Sequence, residues 1–245
     1  MLSFSLAFAR DGYSDNPFPE EDFVRLAGGC FMMGDQFGGG SPDEQPVHEV
    51  CLSEFSISKY EITQEQWQVV MGNNPAENQE NPDYPIDVVS WYDAERFIKK
   101  LNEMTGGRYR LPTEAEWEFA CRSGGKKVKY GTADDTSDRQ HVINSDTEED
   151  ERSIRPVGSF PPNELGLYDM SGNVSEWVQD WYELEYYKRS PVNDPQVQTT
   201  RMMTRKVRRG GHWDDNSWIQ RCTFRNWRTP KYRLIGLGFR LVRDH

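Results

Sequence analysis

The chain has 245 residues, 36% hydrophobic and 13% aromatic, enough for one large or two small packed units. Forty acidic residues against 29 basic ones give a net charge of −11, which argues against general nucleic-acid binding, and no apolar run is long enough to span a bilayer. The charge is unevenly spread: Met1–Thr200 carries 17 basic and 37 acidic residues, whereas Arg201–His245 carries 12 and 3. A basic tail packed on an acidic body accounts for the split, and so does a separate anion-binding role.

Residues 1–22 form an N-terminal segment. Its apolar run Leu2–Ala9 ends in Ala7-Phe8-Ala9, an A-x-A pattern that reads either as the remnant of a secretory signal or as ordinary chain. Val24–Met33 predicts a strand broken by a glycine pair, and Gly34–Gln45 a loop. His48–Tyr60 alternates as strand in two short pieces, with Val50, Leu52, Phe55 and Ile57 inward. Thr63 caps a first helix; Gln66 completes a capping box, Trp67, Val70 and Met71 share a face, and Gly72 stops it. Residues 73–85 are Pro- and Asn-rich loop. Ser90 caps a second helix with Trp91, Ala94, Phe97, Ile98 and Leu101 at helical spacing, ended by Gly106-Gly107. Thr113 caps a third, with Glu116 at the box position and Trp117, Ala120 and Cys121 facing in. Residues 126–153 are polar, and their acidic run Asp146–Glu151 reads as solvated loop. Val157–Trp181 is turn-rich and aromatic, and Glu183–Thr204 is polar again. Closing strands are predicted at Lys206–Arg208 and Gly238–Val242. With no internal repeat and no linker, residues 23–245 read as one α+β domain with long loops.

Arg205–Arg243 stands apart. It is rich in Arg, Trp and Asn and has no regular apolar period, so it reads as loop. Trp213, Trp218 and Trp227 argue that it is pinned to a body. An ordered irregular segment on a scaffold is where binding usually lives.

Residues for chemistry are sparse. His48, His141, His212 and His245 are scattered, which speaks against a zinc or iron site. Cys30, Cys51, Cys121 and Cys222 form no CxxC pair; one disulfide is open to them, and spacing alone cannot name it. There is no G-x-S-x-G elbow, phosphate loop or G-x-G-x-x-G. Asp169 and Glu176, on a tight turn through Gly172 and Val174, would supply oxygen ligands to a hard cation, or else cap turns and pair with arginines.

The blocks Arg110-Leu111-Pro112-Thr113-Glu114-Ala115-Glu116-Trp117-Glu118, Gly166-Leu167-Tyr168-Asp169-Met170-Ser171-Gly172-Asn173-Val174, Arg209-Gly210-Gly211 and Gly238-Phe239-Arg240 resemble the motif ladder of the formylglycine-generating enzyme family. The resemblance runs from about Phe23 to the end and implies a C-type-lectin-like fold, low in regular structure. It implies a calcium site at Asp169, Gly172, Val174 and Glu176, the middle two through backbone oxygens. It implies a disulfide between Cys121 and Cys222 if the chain is exported. Enzymes of that family oxidise a substrate cysteine with copper and two close cysteines just after the Arg-Gly-Gly turn. Here that ground reads His212-Trp213-Asp214-Asp215-Asn216-Ser217-Trp218, without a cysteine, which puts formylglycine generation in doubt.

The C-terminal stretch is also similar to variable proteins diversified by retroelements, including those of treponemes, whose varied positions lie between the Arg-Gly-Gly turn and Gly-Phe-Arg. On that resemblance His212, Asp214, Asp215, Asn216, Phe224, Asn226, Arg228, Tyr232, Leu234, Ile235 and Gly236 are the expected ligand-binding set. Trp213, Arg221, Cys222, Arg225 and Pro230 are the expected frame. Phe224, Leu234 and Ile235 would form a small apolar patch, or else belong to the core. The expectation is an exported, monomeric, non-catalytic protein whose residues 205–243 bind a protein or cell-surface ligand, with no cofactor beyond structural calcium, no nucleic acid, and membrane contact only through a lipid anchor. The alternatives are an oxidase of altered chemistry and a carbohydrate-binding or effector module.

Overall fold

The computed structural model describes residues 17–138, 142–145, 148, 152–198 and 204–244; the apolar run Leu2–Ala9 and most of the acidic run Asp146–Glu151 lie outside the described residues. The elements are β1 (Phe23–Leu26), β2 (Gly29–Met33), β3 (His48–Leu52), β4 (Phe55–Ser58), α1 (Gln64–Met71), α2 (Trp91–Thr105), β5 (Tyr109–Arg110), α3 (Glu114–Cys121), β6 (Ser175–Trp181), β7 (Lys206–Arg209), β8 (Asn226–Arg228), β9 (Leu237–Gly238) and β10 (Val242–Arg243). They form a sheet in the order β1-β4-β10-β5, the hairpin β2-β3, and a sheet β8-β7-β6-β9. All pairings are antiparallel except β6 with β9. β10, from the end of the chain, lies between β4 and β5, so the last residues close the first sheet.

The three helices start where their caps predict. Thr63, Ser90 and Thr113 each accept the N3 backbone N–H while the N3 side chain returns to the cap, satisfying two otherwise orphaned donors. Gly72 and Gly106 end α1 and α2 in the left-handed conformation. One core gathers β2, β3, β4 and α3 around Phe31, Phe55, Trp117 and Phe119. A second gathers α1 and α2 around Trp67, Phe97 and Phe239, with Trp67 stacked on Phe97 at 5.3 Å. Phe18 is buried against Phe97 and Tyr109, so the packed body begins before residue 23.

β6 corrects the expectation of turns up to Trp181. Most of its residues are buried on both faces, and such a strand shows no alternation. The closing strand predicted at Gly238–Val242 is instead two, β9 and β10, in different sheets. Every residue of α3 is buried, its three glutamates included, so its predicted inward stripe was too narrow.

Glu114 and Glu118 of α3, with Glu44 and Glu176, explain the charge split. Arg209 of β7 donates to Glu118. Arg221 binds Glu44 through two hydrogen bonds of 2.8 Å. Arg225 binds Glu114 at 2.8 and 2.9 Å, and Arg240 binds Glu176 at 2.7 Å twice. The basic tail is thus stitched into the acidic body by buried, mostly bidentate pairs. Two disulfides add to this. Cys121–Cys222 ties α3 to the C-terminal segment, as the family resemblance implied. Cys30–Cys51, which spacing had not named, joins residues directly opposite on β2 and β3.

Candidate functional site

The C-terminal segment leaves the third sheet at Arg209 and turns through Gly210 and Gly211, whose φ values are +89° and +69°. A Cβ on Gly211 would stand 2.9 Å from Gln220 Cγ, and one on Gly210 would stand 3.2 Å from the Trp117 ring. Side chains other than glycine would be strained here twice over, by φ and by contact.

The loop beyond is held from beneath at several points. Arg209 Nη1 donates to the carbonyls of Thr223 and Phe224 at 3.0 and 2.9 Å. Gln220 Nε2 donates to the carbonyls of Ile143 and His212, both at 2.9 Å. Arg221 Nε donates to the Trp218 carbonyl, and the Trp213 N–H to the Asn173 carbonyl. Of the expected frame, Arg221, Cys222, Arg225 and Pro230 are buried and Trp213 is half-buried.

The candidate ligand-binding residues fall between these anchors. Asp214, Asn216, Tyr232 and Ile235 are exposed; His212, Asp215, Phe224, Asn226, Arg228 and Leu234 are half-buried. His212 organises a local cluster: its N–H donates to Asp215 Oδ2 at 3.0 Å, and its Nδ1 accepts the Asp214 N–H at 3.1 Å. Its Cβ lies 3.0 Å from where a Cβ on Gly236 would be, which brings the two ends of the segment together. Arg228 lies over the Tyr232 ring at 5.6 Å. Phe224 packs on Trp218, with ring centroids 4.9 Å apart. Of the apolar patch expected from Phe224, Leu234 and Ile235, Ile235 is exposed and the other two are half-buried.

Two candidates are corrected. Gly236 is buried and gives its N–H to Asp87 Oδ2 at 2.9 Å, so it shapes the turn and offers no contact surface. Leu234 packs against the second core, and its carbonyl accepts the Val88 N–H. Trp218 is both anchor and surface: its Nε1–H donates to the Gly39 carbonyl at 3.3 Å, while its ring is 42% exposed, with the Arg221 guanidinium 4.7 Å from the ring centroid. Only the unequal depth of the three tryptophans separates it from Trp213 and Trp227, and sequence does not carry depth.

Asp169, Gly172, Val174 and Glu176 do not fit a calcium shell in this arrangement. Both Glu176 oxygens are taken by Arg240, and one also accepts Trp117 Nε1–H at 2.8 Å. Asp169 Oδ2 accepts the Gly158 N–H. The guanidinium already supplies the cation of this cluster. Among the described residues no three metal-ligating side chains are grouped to hold an ion.

Burial in this cluster holds the Glu61 carboxyl well above its ordinary value, with Asp169 and Glu176 adding to the effect, and raises Asp169 to about 6. Burial likewise raises Asp180 to about 7, with Glu114 as the second cause. A carboxyl with a raised folded pKa binds more protons folded than unfolded, so its stabilising contribution is present at low pH and is lost as pH rises through the folded value. His212 acts in the opposite sense, because burial lowers its pKa and its protonation at acid pH disfavours the fold. Three carboxyls against one imidazole predict a higher urea midpoint at pH 5 than at pH 7.5. Equal or reversed midpoints would contradict these assignments.

The family model described as a sulfatase-modifying factor enzyme 1-like domain matches residues 11–245. The chain is 29% identical to the formylglycine-generating enzyme of Streptomyces coelicolor, across 97% of this chain and 94% of that protein. It is 30% identical to the serine/threonine-protein kinase pkn1 of Chlamydia caviae, across 91% of this chain but only 38% of the kinase's length. Among solved structures, Treponema denticola variable protein 1 superposes with a TM-score of 0.78 at 25% identity, covering 91% of this chain and 95% of the other. The fold is that of the formylglycine-generating, C-type-lectin-like proteins, and the likeness to a treponemal variable protein extends over nearly the whole length of both chains. A match across all but the first ten residues places the chain in the sulfatase-modifying factor enzyme family.

Proposed function

We propose that this chain is a non-catalytic ligand-binding protein whose C-terminal face, within residues 205–243, is free to change on a frame that is not. The observation that carries the proposal is the state of the cysteines. The chain has four, and all four are in disulfides. Oxidation of a substrate cysteine by the family's copper chemistry needs a thiolate pair, and none is available here. The ground after the Gly-Gly turn is occupied by His212, Asp214 and Asp215, which hydrogen-bond one another.

The interleaving supports the same reading. Arg221 and Arg225 of the frame are buried and bonded to distant acids, whereas Asp214, Asn216, Tyr232 and Ile235 of the candidate contact set are exposed and bear little of the fold's energy. Two disulfides suit an exported protein at the cell surface or in the periplasm. The ligand is a protein or another cell-surface molecule.

Exchanging Asp214, Asn216, Tyr232 and Ile235 together for serine is expected to change the urea unfolding free energy by less than about 2 kcal/mol, since surface substitutions mostly stay within about 0.5 each. The same protein should bind Cu(I) no more tightly than a cysteine-free control and leave a cysteine-bearing sulfatase peptide unoxidised. A global loss of stability, or copper-dependent oxidation of the peptide, would overturn the proposal. The second reading, an oxidase of altered chemistry, is favoured by the near full-length likeness to the Streptomyces enzyme, and the oxidation assay decides it.

A further inference from the structure

At the other end of β7 from the Gly-Gly turn lies an open pocket of about 350 Å3, bordered by Trp91 and Glu95 of α2, Gln179 and Trp181 of β6, Gln196, and Lys206 of β7. Its walls are fixed. Trp91 Nε1 donates to the Val178 carbonyl at 2.9 Å. The Lys206 ammonium lies 3.9 Å from the Trp91 ring centroid and 4.3 Å from that of Trp181, and donates to the Gln179 carbonyl at 2.6 Å. Lys206 is only 3% exposed, so it sets the rings and leaves contact to the half-buried Glu95, Gln179 and Gln196. Those three are underused. Gln196 Nε2 donates to Gln179 Oε1 at 2.6 Å. Among the described residues the Glu95 carboxylate accepts no hydrogen bond, and Gln179 Nε2 and Gln196 Oε1 have no partner. Burial holds the Glu95 carboxyl above its ordinary value and lowers Lys206 to about 8. The charges that Lys206 senses are Glu95 and Asp180, the latter buried and held by the Val197 and Glu114 N–H groups. A neighbouring hollow of about 520 Å3 shares Glu95 and Gln179 and continues along α2 to Glu103. From Trp91 to Glu103 the two make a groove roughly 18 Å long at the helical rise.

We infer that this groove binds a short neutral oligosaccharide, one sugar ring resting on the tryptophans and its hydroxyls shared among Glu95, Gln179 and Gln196. The groove is separate from the C-terminal contact set, since Lys206 alone of its lining comes from residues 205–243. Hydroxyls both donate and accept, which suits a set that offers free acceptors and a free donor beside aromatic walls. A phosphate or carboxylate only accepts, and would stand against Glu95. The cations at the far end are already answered: Arg110 by Glu116 and Asp244, and Lys99 by Glu103. An ammonium ligand would need the place among the rings that Lys206 fills. A peptide added as a strand would need main-chain partners, and those of β6 here are spent. The Gln179 N–H bonds the Pro112 carbonyl, the Trp181 N–H bonds the Val197 carbonyl, and the Gln179 carbonyl takes Lys206.

The test titrates the full chain with maltotriose, cellotriose and chitotriose, each beside its monosaccharide, with N-acetyl-trialanine-amide and inorganic phosphate as further probes at equal ionic strength. The readout is the 15N–1H shift of the Trp91 and Trp181 indole groups and of the backbone amides of α2 and β6. At least one trisaccharide is expected to shift them saturably, and its monosaccharide to bind about fivefold more weakly or worse, the weight of one added hydrogen bond. Trp181→Ala should abolish the shifts on α2. Glu95→Ala should weaken binding by about fivefold without lowering the melting temperature, because Glu95 holds no hydrogen-bond partner in the fold. Exchanging Asp214, Asn216, Tyr232 and Ile235 together for serine should leave sugar binding unchanged. No saturable shift with any trisaccharide, tighter binding of the peptide or of phosphate, undiminished binding by Glu95→Ala, or loss of sugar binding in the fourfold serine variant would each overturn the assignment. Should Trp181→Ala fail to fold, Glu95→Ala and the ranking of probes on the unmodified chain still decide.

Discussion

Glu118→Ala is expected to destabilise the folded chain by about 3–5 kcal/mol, the range for a buried ion pair broken from one side. The side chain is fully buried. Its Oε1 accepts the Gly34 N–H at 2.8 Å and Arg122 Nη1 at 3.1 Å, and its Oε2 accepts Arg209 Nη2. Alanine would leave two guanidinium groups in a water-free interior with one partner fewer each. Glu114, 3.6 Å from Arg209, is already bound to Arg225 and compensates poorly. Because Arg209 also holds the carbonyls of Thr223 and Phe224, the loss should spread to the C-terminal loop, seen as faster amide exchange there. Urea unfolding of the variant checks the magnitude, and a cost below about 1 kcal/mol would show that the pair contributes little.

The second large effect belongs to the Cys121–Cys222 disulfide. Replacing both cysteines by alanine is expected to cost about 4–5 kcal/mol, because the bond closes a loop spanning 101 residues and restricts the unfolded chain accordingly. Replacing Cys30 and Cys51, separated by only 21 residues, should cost about 3 kcal/mol. Urea unfolding of the two double variants gives the ranking. A larger loss for the hairpin pair would mean that local packing, not chain entropy, dominates both bonds.

The three helices were legible because their signals are local. Thr63, Ser90 and Thr113 each announce a helix within four residues, and glycine marks two of the ends. β1 to β4 were legible through alternation and the Gly28-Gly29 break. β6 was not, because a strand buried on both faces carries no two-residue period, and short strands such as β5 and β8 exist only by virtue of their neighbours. At the site, the division into frame and surface followed from the family pattern. The partners of the frame could not be read. Glu44 and Arg221 are 177 residues apart, Glu114 and Arg225 111 apart, and a glutamate awaiting a buried arginine looks like any solvated one. Arg208 was invisible for the same reason: that it lacks a carboxylate among the described residues becomes apparent only beside Arg209, Arg221, Arg225 and Arg240, the other buried arginines of the segment, which have theirs.

The buried pairs carry a consequence for moving this face between proteins. Arg209, Arg221, Arg225 and Arg240 belong to the C-terminal segment, but their counter-charges sit on the turn at Glu44, on α3 and on β6. A transplant of residues 205–243 onto a foreign scaffold would arrive with four unneutralised guanidinium groups and a severed disulfide. Grafts should take only between relatives that keep the acids and Cys121 at matching places. Within such a circle of hosts the outward residues become interchangeable cargo, and the arginines act as the key that decides which hosts accept them.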